Sequence, residues 1–220
     1  MISTFTNLKA VVLAGLVGLG LGIQFGEVKA TGTNVVVVAG GCFWCVEKDF
    51  ESVRGVSEVV SGFTGGSVVN PSYKDVVKGG TGHYEAVQIF YNPSEISAAQ
   101  LFALFVRSID PTDAGGQFCD RGDSYRSAIF VSDSAERASA QAALTEAQRE
   151  LGQKIVTPIL DAGEFFPADA YHQDYYKQTA IILTRFGPKS KAKAYKAYRA
   201  ACGRDERVRQ LWGTKAPFVS

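Results

Sequence analysis

The sequence predicts an α/β or α+β domain in which helices cover a β-sheet. Three observations predict it. Short β-branched and aromatic runs alternate with segments of helical period along residues 31–220. The composition is that of an ordinary soluble globular protein, with 46% hydrophobic, 20% charged and 11% aromatic residues. No internal repeat, charge block or Pro/Ser linker divides residues 31–220, so they read as one domain around one sizeable core.

Val35 to Val38 followed by Ala39-Gly40-Gly41 reads as a buried strand ending in a tight turn. A helix follows, with Phe43, Val46, Phe50 and Val53 on one face, Glu47, Lys48 and Glu51 on the other, and Arg54-Gly55 as its stop. Val56 to Phe63 is a strand, Gly65 to Thr81 a long loop with one helical turn around Tyr73 to Val77, and Glu85 to Tyr91 a strand stopped by Asn92-Pro93. Ser94 is suited to cap a helix to about Ser108, with Leu101, Leu104 and Phe105 inward. A polar loop, Asp110 to Ser124, leads into a strand at Tyr125 to Val131. Ser134 to Leu151, rich in Ala, Glu and Gln and closed by Gly152, is a long helix. Ile155 to Leu160 is a short strand, Tyr171 to Tyr176 a helical turn, and Lys189 to Ala201 a basic helix closed by Gly203, whose Lys189, Lys191, Lys193 and Lys196 read as a solvated face.

Charge excludes one class of partner. Lys and Arg number 23 against 22 Asp and Glu, a formal net charge of +1, so no broad basic footprint for nucleic acid is present. The N-terminus departs from average composition: Ala10 to Ile23 is an uninterrupted apolar run behind Lys9, followed by a polar stretch ending Val28-Lys29-Ala30. Residues 1–30 read as a cleaved secretory signal, which places the mature chain in the periplasm or outside the cell. Retention of the run as an anchor is the alternative, and only then would the chain meet a membrane.

The four cysteines, Cys42, Cys45, Cys119 and Cys202, are too few for a disulfide scaffold. In an oxidising compartment two structural disulfides are the plain expectation. A bridge between Cys42 and Cys45, however, closes a very short loop and adds little chain-entropy stabilisation, so the pair suits redox chemistry better than stapling. Cys42 lies where a strand and a glycine turn meet the first turn of a helix, beside unpaired N–H groups and the positive end of the helix dipole; that position lowers a thiol pKa. Trp44 falls off the apolar helical stripe, where it either walls a substrate site or caps the edge of the core. Glu85 shares its strand face with Val87, Ile89 and Tyr91; it is either an edge glutamate turned to water or, if buried there, a neutral carboxylic acid that still holds its proton near neutral pH. No second close cysteine pair marks a zinc site, and no phosphate-binding glycine loop of the P-loop type is present.

Six blocks in order, Gly41-Cys42-Phe43-Trp44, Tyr73 after Asn70-Pro71, Gly80-Thr81-Gly82-His83-Tyr84-Glu85, Asp110-Pro111-Thr112, Tyr125-Arg126-Ser127-Ala128-Ile129 and Tyr171-His172-Gln173, resemble the A-type peptide methionine sulfoxide reductases. They run from about residue 34 to 177. The resemblance implies a mixed-sheet, two-layer α/β sandwich around a split βαβ, ferredoxin-like core with peripheral helices. It implies reduction of the S epimer of methionine sulfoxide, free or in proteins, by a monomer with no metal and no bound cofactor, repairing oxidised exported proteins. Electrons would come from a thioredoxin-like dithiol, or from dithiothreitol in vitro. Cys42 would be the nucleophile and Glu85 the acid. Phe43 and Trp44 would hold the S-methyl group, with Gly41 and His172 beside them; Tyr73 and Tyr125 would bond the sulfoxide oxygen, and Asp120 would lie near the substrate amine. Many family members carry Gly where this chain has Cys45, which leaves the resolving thiol open among Cys45, one helical turn from Cys42, and Cys202 and Cys119. Two other classes stay open: an exported thioredoxin-fold disulfide oxidoreductase using Cys42-x-x-Cys45, with Thr157-Pro158 mimicking its active-site proline, and a silent module that binds oxidised methionine.

Overall fold

In strand β1 (Asn34–Gly40), alternate side chains serve opposite faces of a sheet: Val36 and Val38 enter the main core, Val37 and Ala39 a smaller cluster behind it. The computed structural model describes residues 33–219; the expected secretory signal, residues 1–30, lies outside them. After β1 come α1 (Phe43–Glu51), β2 (Val56–Thr64), α2 (Tyr73–Lys78), β3 (Tyr84–Tyr91) and α3 (Ala98–Arg107). A short pair, β4 (Gly116–Gln117) and β5 (Asp120–Arg121), and a 3-10 turn, Asp123–Tyr125, precede β6 (Ser127–Val131), α4 (Ser134–Leu151), β7 (Ile159–Asp161) and β8 (Phe166–Pro167). The chain closes with a hairpin of β9 (Ile181–Thr184) and β10 (Gly187–Ser190), then α5 (Lys191–Cys202) and α6 (Arg204–Trp212).

The main sheet has the order β7-β6-β1-β3-β2-β8. Strand β3 is antiparallel to both β1 and β2, so β1 and β2 run parallel with β3 between them, and α1 is the crossover of a split βαβ unit. The second unit is β3, α3 and β6, with β1 inserted between the two strands. These interlocked units are the ferredoxin-like core. β7 adds parallel to β6 and makes the sheet mixed. The main core joins Val36, Val38, Val87 and Ile89 of the sheet to Phe43, Val46 and Phe50 of α1 and to Leu101, Phe102 and Phe105 of α3. Among the described residues no helix is long and apolar enough to cross a membrane.

Several boundaries differ from expectation for local reasons. Helix α3 starts after Ser97, not Ser94: the Ser97 hydroxyl accepts the Gln100 N–H and the Gln100 side chain accepts the Ser97 N–H, a reciprocal cap. Ser94 instead donates its N–H to Asn92 Oδ1 in the turn before it. Its inward residues are Leu101, Phe102, Phe105 and Val106, while Leu104 is only half-buried. The strand expected from Tyr125 begins at Ser127, because Asp123–Tyr125 coils into the 3-10 turn, and the one expected from Ile155 is confined to Ile159–Asp161.

The basic C-terminal segment is not a solvated face throughout. Lys193 and Lys196 are exposed, but Lys189 belongs to β10, and Lys191 is 3% exposed, its ammonium donating to Tyr171 O at 2.7 Å and Gln178 Oε1 at 2.8 Å. The short strands β4, β5 and β8, the β9–β10 hairpin and α6 have no counterpart in the sequence reading. The hairpin turn, Arg185-Phe186, lacks the Asn-Gly chemistry that marks such turns. Gly203, in the left-handed region at φ +71°, ends α5 and starts α6, so the two helices have no linker between them.

Helix α6 ties the C-terminus to the turn after β1. The buried Arg204 guanidinium donates to Gly40 O at 3.1 Å and Ser108 O at 3.0 Å, and Arg199 of α5 pairs at 3.0 Å with the buried carboxylate of Asp49 on α1. Replacing Arg204 by Met strands two buried carbonyls and removes one of the cations facing Asp49, so it should cost about 3 kcal/mol of folding free energy. Urea unfolding checks this as a lower midpoint with an unchanged slope.

Candidate active site

Cys42 is the N-cap of α1, and its carbonyl accepts the N–H groups of Cys45 at 3.0 Å and Val46 at 3.4 Å. The turn before it needs glycine twice over at Gly41. Its φ is +79°, and a Cβ there would lie 2.6 Å from Cβ of Gln117. Gln117 is fully buried and immovable, with its amide bonded both ways to the Asp110 backbone. Gly41 therefore supplies backbone rather than a lining side chain.

A helix start leaves N–H groups without partners, and here the Phe43 N–H is taken by Glu85 Oε2 at 3.1 Å. That bond joins α1 to β3. Glu85 is 1% exposed, and burial pushes its pKa up to about 8 against the opposing Phe43 N–H and Tyr125 hydroxyl. At neutral pH it is a carboxylic acid, and its Oε1 is buried without a hydrogen-bond partner in the protein. Burial on an apolar strand face thus acts on Glu85 in the direction the sequence suggests.

The thiols divide their proton differently from expectation. Cys42 donates a hydrogen bond to Cys45, and that bond, then burial and the neighbouring Cys45, Glu85 and Asp120 charges, push its thiol well above the usual range. Accepting the same bond lowers Cys45 to about 7, against its burial and with help from Arg204 and Arg199. The bond to Cys45 and burial outweigh the helix start at Cys42, and of the two thiols Cys45 is the one whose pKa is lowered.

Around the thiols stands an aromatic wall. Buried Phe43 packs on Phe63 at 5.8 Å and on Tyr73 at 6.1 Å between ring centres. Trp44 stacks on Tyr175 at 3.7 Å and faces His172 at 5.7 Å, and His172 stacks on Tyr73 at 4.2 Å. Burial lowers the His172 pKa and favours a neutral ring. The segment carrying His172 and Tyr175 is held by Glu47, which accepts the Asp174 N–H at 2.8 Å and the Ser61 hydroxyl at 3.1 Å, and by Lys191. The Tyr73 and Tyr125 hydroxyls face one another, and burial pushes both well above the ordinary phenol range. Half-buried Asp120 has a raised pKa for the same reason, opposed by Arg204 and Arg185.

These groups line one cavity of about 620 Å³. Cys119 and Cys202 also line it and are joined as a disulfide, whereas Cys42 and Cys45 are free. Of the residues singled out in the sequence, Cys42, Phe43, Trp44, Cys45, Tyr73, Glu85, Asp120, Tyr125 and His172 meet here. His83 does not: its Nδ1 accepts the Gly66 N–H and its Nε2 faces Val68 O, an arrangement that pins a loop. The sequence reading missed Tyr175, Tyr195, Arg199, Arg204 and the hairpin residues Ile182, Leu183 and Arg185 on the outer wall. A larger depression of about 730 Å³ beside α4 has Arg137 as its sole ionisable side chain, so the chemistry belongs to the thiol cavity.

Along most of its length the chain is similar to proteins of one family. The family model described as peptide methionine sulfoxide reductase matches residues 34–215. Peptide methionine sulfoxide reductase MsrA 2 of Caulobacter vibrioides is 44% identical over 194 residues, covering 88% of this chain and 92% of that protein. The protein of the same name from Rhizobium meliloti is 43% identical over 188 residues, covering 86% and 88%. Among solved structures, reduced Mxr1 of Saccharomyces cerevisiae superposes with a TM-score of 0.62 at 31% identity, over 65% of this chain and 83% of that one. Methionine sulfoxide reductase A of Corynebacterium diphtheriae gives 0.59 at 31% identity, over 66% and 74%.

The protonated Glu85 can be read directly. Infrared difference spectra should show a carboxylic acid C=O band that is present at pH 7, fades as pH rises through about 8 and is missing in Glu85→Gln.

Proposed function

This chain belongs to the peptide methionine sulfoxide reductase family and is an enzyme of its A type, and on that premise we propose that Cys42 reduces the S epimer of methionine sulfoxide in exported proteins. The observation that carries the reading is a carboxylic acid, Glu85, kept neutral in the same cavity as a hydrogen-bonded thiol pair. The sulfoxide's S-methyl group rests on Phe43 and Trp44, its oxygen faces Glu85, Tyr73 and Tyr125, and Asp120 lies toward the substrate's backbone amine. Gly41 fixes the turn that presents Cys42, and His172 backs the aromatic wall.

Cys42 passes its proton to the Cys45 thiolate and attacks the sulfoxide sulfur while Glu85 protonates its oxygen; the hydroxyl then passes from the substrate sulfur to Cys42 as the sulfur–oxygen bond and the new sulfur–sulfur bond both break. Methionine leaves, and the oxygen remains on Cys42 as a sulfenic acid, so the two electrons come from the Cys42 sulfur. Cys45, now a thiol, condenses with the sulfenic acid to give a disulfide and water. Cys45 is the resolving thiol in this reading because it already shares a proton with Cys42, whereas Cys119 and Cys202 are occupied with each other. A thioredoxin-like dithiol then reduces the Cys42–Cys45 bond by exchange, and dithiothreitol serves in vitro. No bound cofactor or metal enters the scheme, and a monomer suffices. Export is supported by the apolar run Ala10 to Ile23 and by the Cys119–Cys202 disulfide, which suits an oxidising compartment. The ferredoxin-like strand order weighs against a thioredoxin-fold oxidoreductase, and the complete set of acid and thiols weighs against a silent binding module.

With dithiothreitol, the protein should convert the S epimer of a blocked methionine sulfoxide to methionine and leave the R epimer untouched. Cys42→Ser should abolish turnover, and Glu85→Gln should slow it by about 100-fold or more. After one turnover without reductant, peptide mapping should find Cys42 joined to Cys45; Cys42 joined to Cys202 would overturn the resolving assignment. Retained turnover in Cys42→Ser would overturn the site.

A further inference from the structure

The hairpin at the outer wall of the cavity is built unlike the rest of the surface. Strands β9 and β10 form a sheet of their own, and among the described residues β9 pairs with no other strand. Its side chains are apolar and uncovered: Ile181 is 71% and Leu183 84% exposed, the two most exposed large hydrophobics among the described residues. An open strand edge with apolar side chains invites association with another extended chain, a liability that proteins usually blunt with charge or cover. Here it is neither blunted nor remote. Ile182 and Leu183 line the cavity that holds Cys42, and Arg185, stacked near Phe186 and Tyr198, lines it beside them.

The cavity is also larger than one side chain requires. In the proposed pose the methionine sulfoxide side chain needs only the corner between Phe43, Trp44 and Glu85, whereas the full volume of about 620 Å³ falls in the range of sites that enclose much larger ligands. When the oxidised residue is part of a polypeptide, its backbone must leave that corner on both sides, and Ile182 and Leu183 of β9 line the cavity it leaves through.

We propose that β9 is a subsite for the substrate polypeptide: an extended segment carrying oxidised methionine lies along the free β9 edge, with an apolar neighbour of the methionine covering Ile181 and Leu183. The assignment rests on the reductase reading above and sharpens it, since it selects unfolded or extended polypeptides with apolar residues beside the methionine over free methionine sulfoxide. Main-chain hydrogen bonds to β9 supply sequence-tolerant affinity, and the two apolar side chains supply the preference.

The test compares two substrates under saturating dithiothreitol with the full-length protein. One is a blocked single residue, the S-sulfoxide of N-acetylmethionine amide; the other is a seven-residue peptide with the same sulfoxide flanked by Val and Leu. In Ile181→Ser and in Leu183→Ser, kcat/KM for the peptide should fall about fivefold relative to that for the single residue, as expected when a partly buried aliphatic contact is lost. A peptide with Ser and Glu flanks should show no such fall. An unchanged ratio in both variants overturns the subsite. So does an unchanged ratio accompanied by a raised KM for a thioredoxin used as reductant, which would assign the hairpin to the electron donor. Calorimetric binding of the Val/Leu peptide to Cys42→Ser protein, with and without Ile181→Ser, reads the hairpin without turnover. Weaker binding in the double variant with no wild-type turnover would sink the reductase reading and keep the subsite; equal binding would sink the subsite alone.

Discussion

The hydrogen bond from the Phe43 N–H to Glu85 is the constraint on which the rest of the site depends. It uses a donor that every helix start leaves over and an acceptor that a sheet strand would not ordinarily bury. The split βαβ arrangement brings the two together, because β3 is inserted between β1 and β2 and so passes beneath the N-terminus of α1. One carboxylate oxygen is thereby fixed and the other left free, in surroundings that keep the group protonated. A carboxylic acid and a thiol pair are then held by the same turn of backbone, with no flexible loop between them.

Charge around the thiols is balanced by segments far along the chain. Buried Asp49, on the same helix as Cys45, would raise the Cys45 pKa unopposed; Arg199 and Arg204, from α5 and α6, reverse the local sign. Arg204 also anchors the Gly40 carbonyl immediately before the glycine turn. The C-terminal helices thus tune the thiols and fix the turn that presents them. Lys191 and Glu47 perform the equivalent task for the aromatic wall, holding the Tyr171–Tyr175 segment against Trp44. The cavity is a joint product of the ferredoxin-like core, which supplies Cys42 and Glu85, and of a C-terminal wrap that supplies walls and counter-charge.

Strands β1, β2, β3 and β6 and helices α1 and α4 were legible in the sequence because each has its own periodicity, and several have a stop signal such as Gly55 or Gly152; β8, only Phe166–Pro167, is too short to show either. Cys42 and Glu85 were legible for a related reason: a cysteine after two glycines, and a carboxylate on an apolar strand face, are locally costly choices. What could not be read is whatever depends on a distant partner. Gly41 is required by Gln117, about 75 residues on. Lys191 looked like one of four solvated lysines, because nothing in its neighbourhood announces the Tyr171 carbonyl that buries it. Cys42 was expected to carry the lowered pKa from its helix position; its bond to Cys45 and its burial push it up instead, while the arginines lower Cys45, a set of contacts that meets only in three dimensions. The hairpin escaped because Arg185-Phe186 is not a turn pair that local chemistry would select.

The measurement that tests this account most directly is the pH dependence of the first turnover: the rate of methionine formation from the S epimer, followed by rapid quench on fully reduced protein between pH 6 and 10. An acid of pKa about 8 that must give its proton to the departing oxygen makes the rate fall as pH rises through that value, even as the thiols become more ionised. A rate that instead climbs through the same range would follow thiolate alone, and would contradict the role assigned to Glu85.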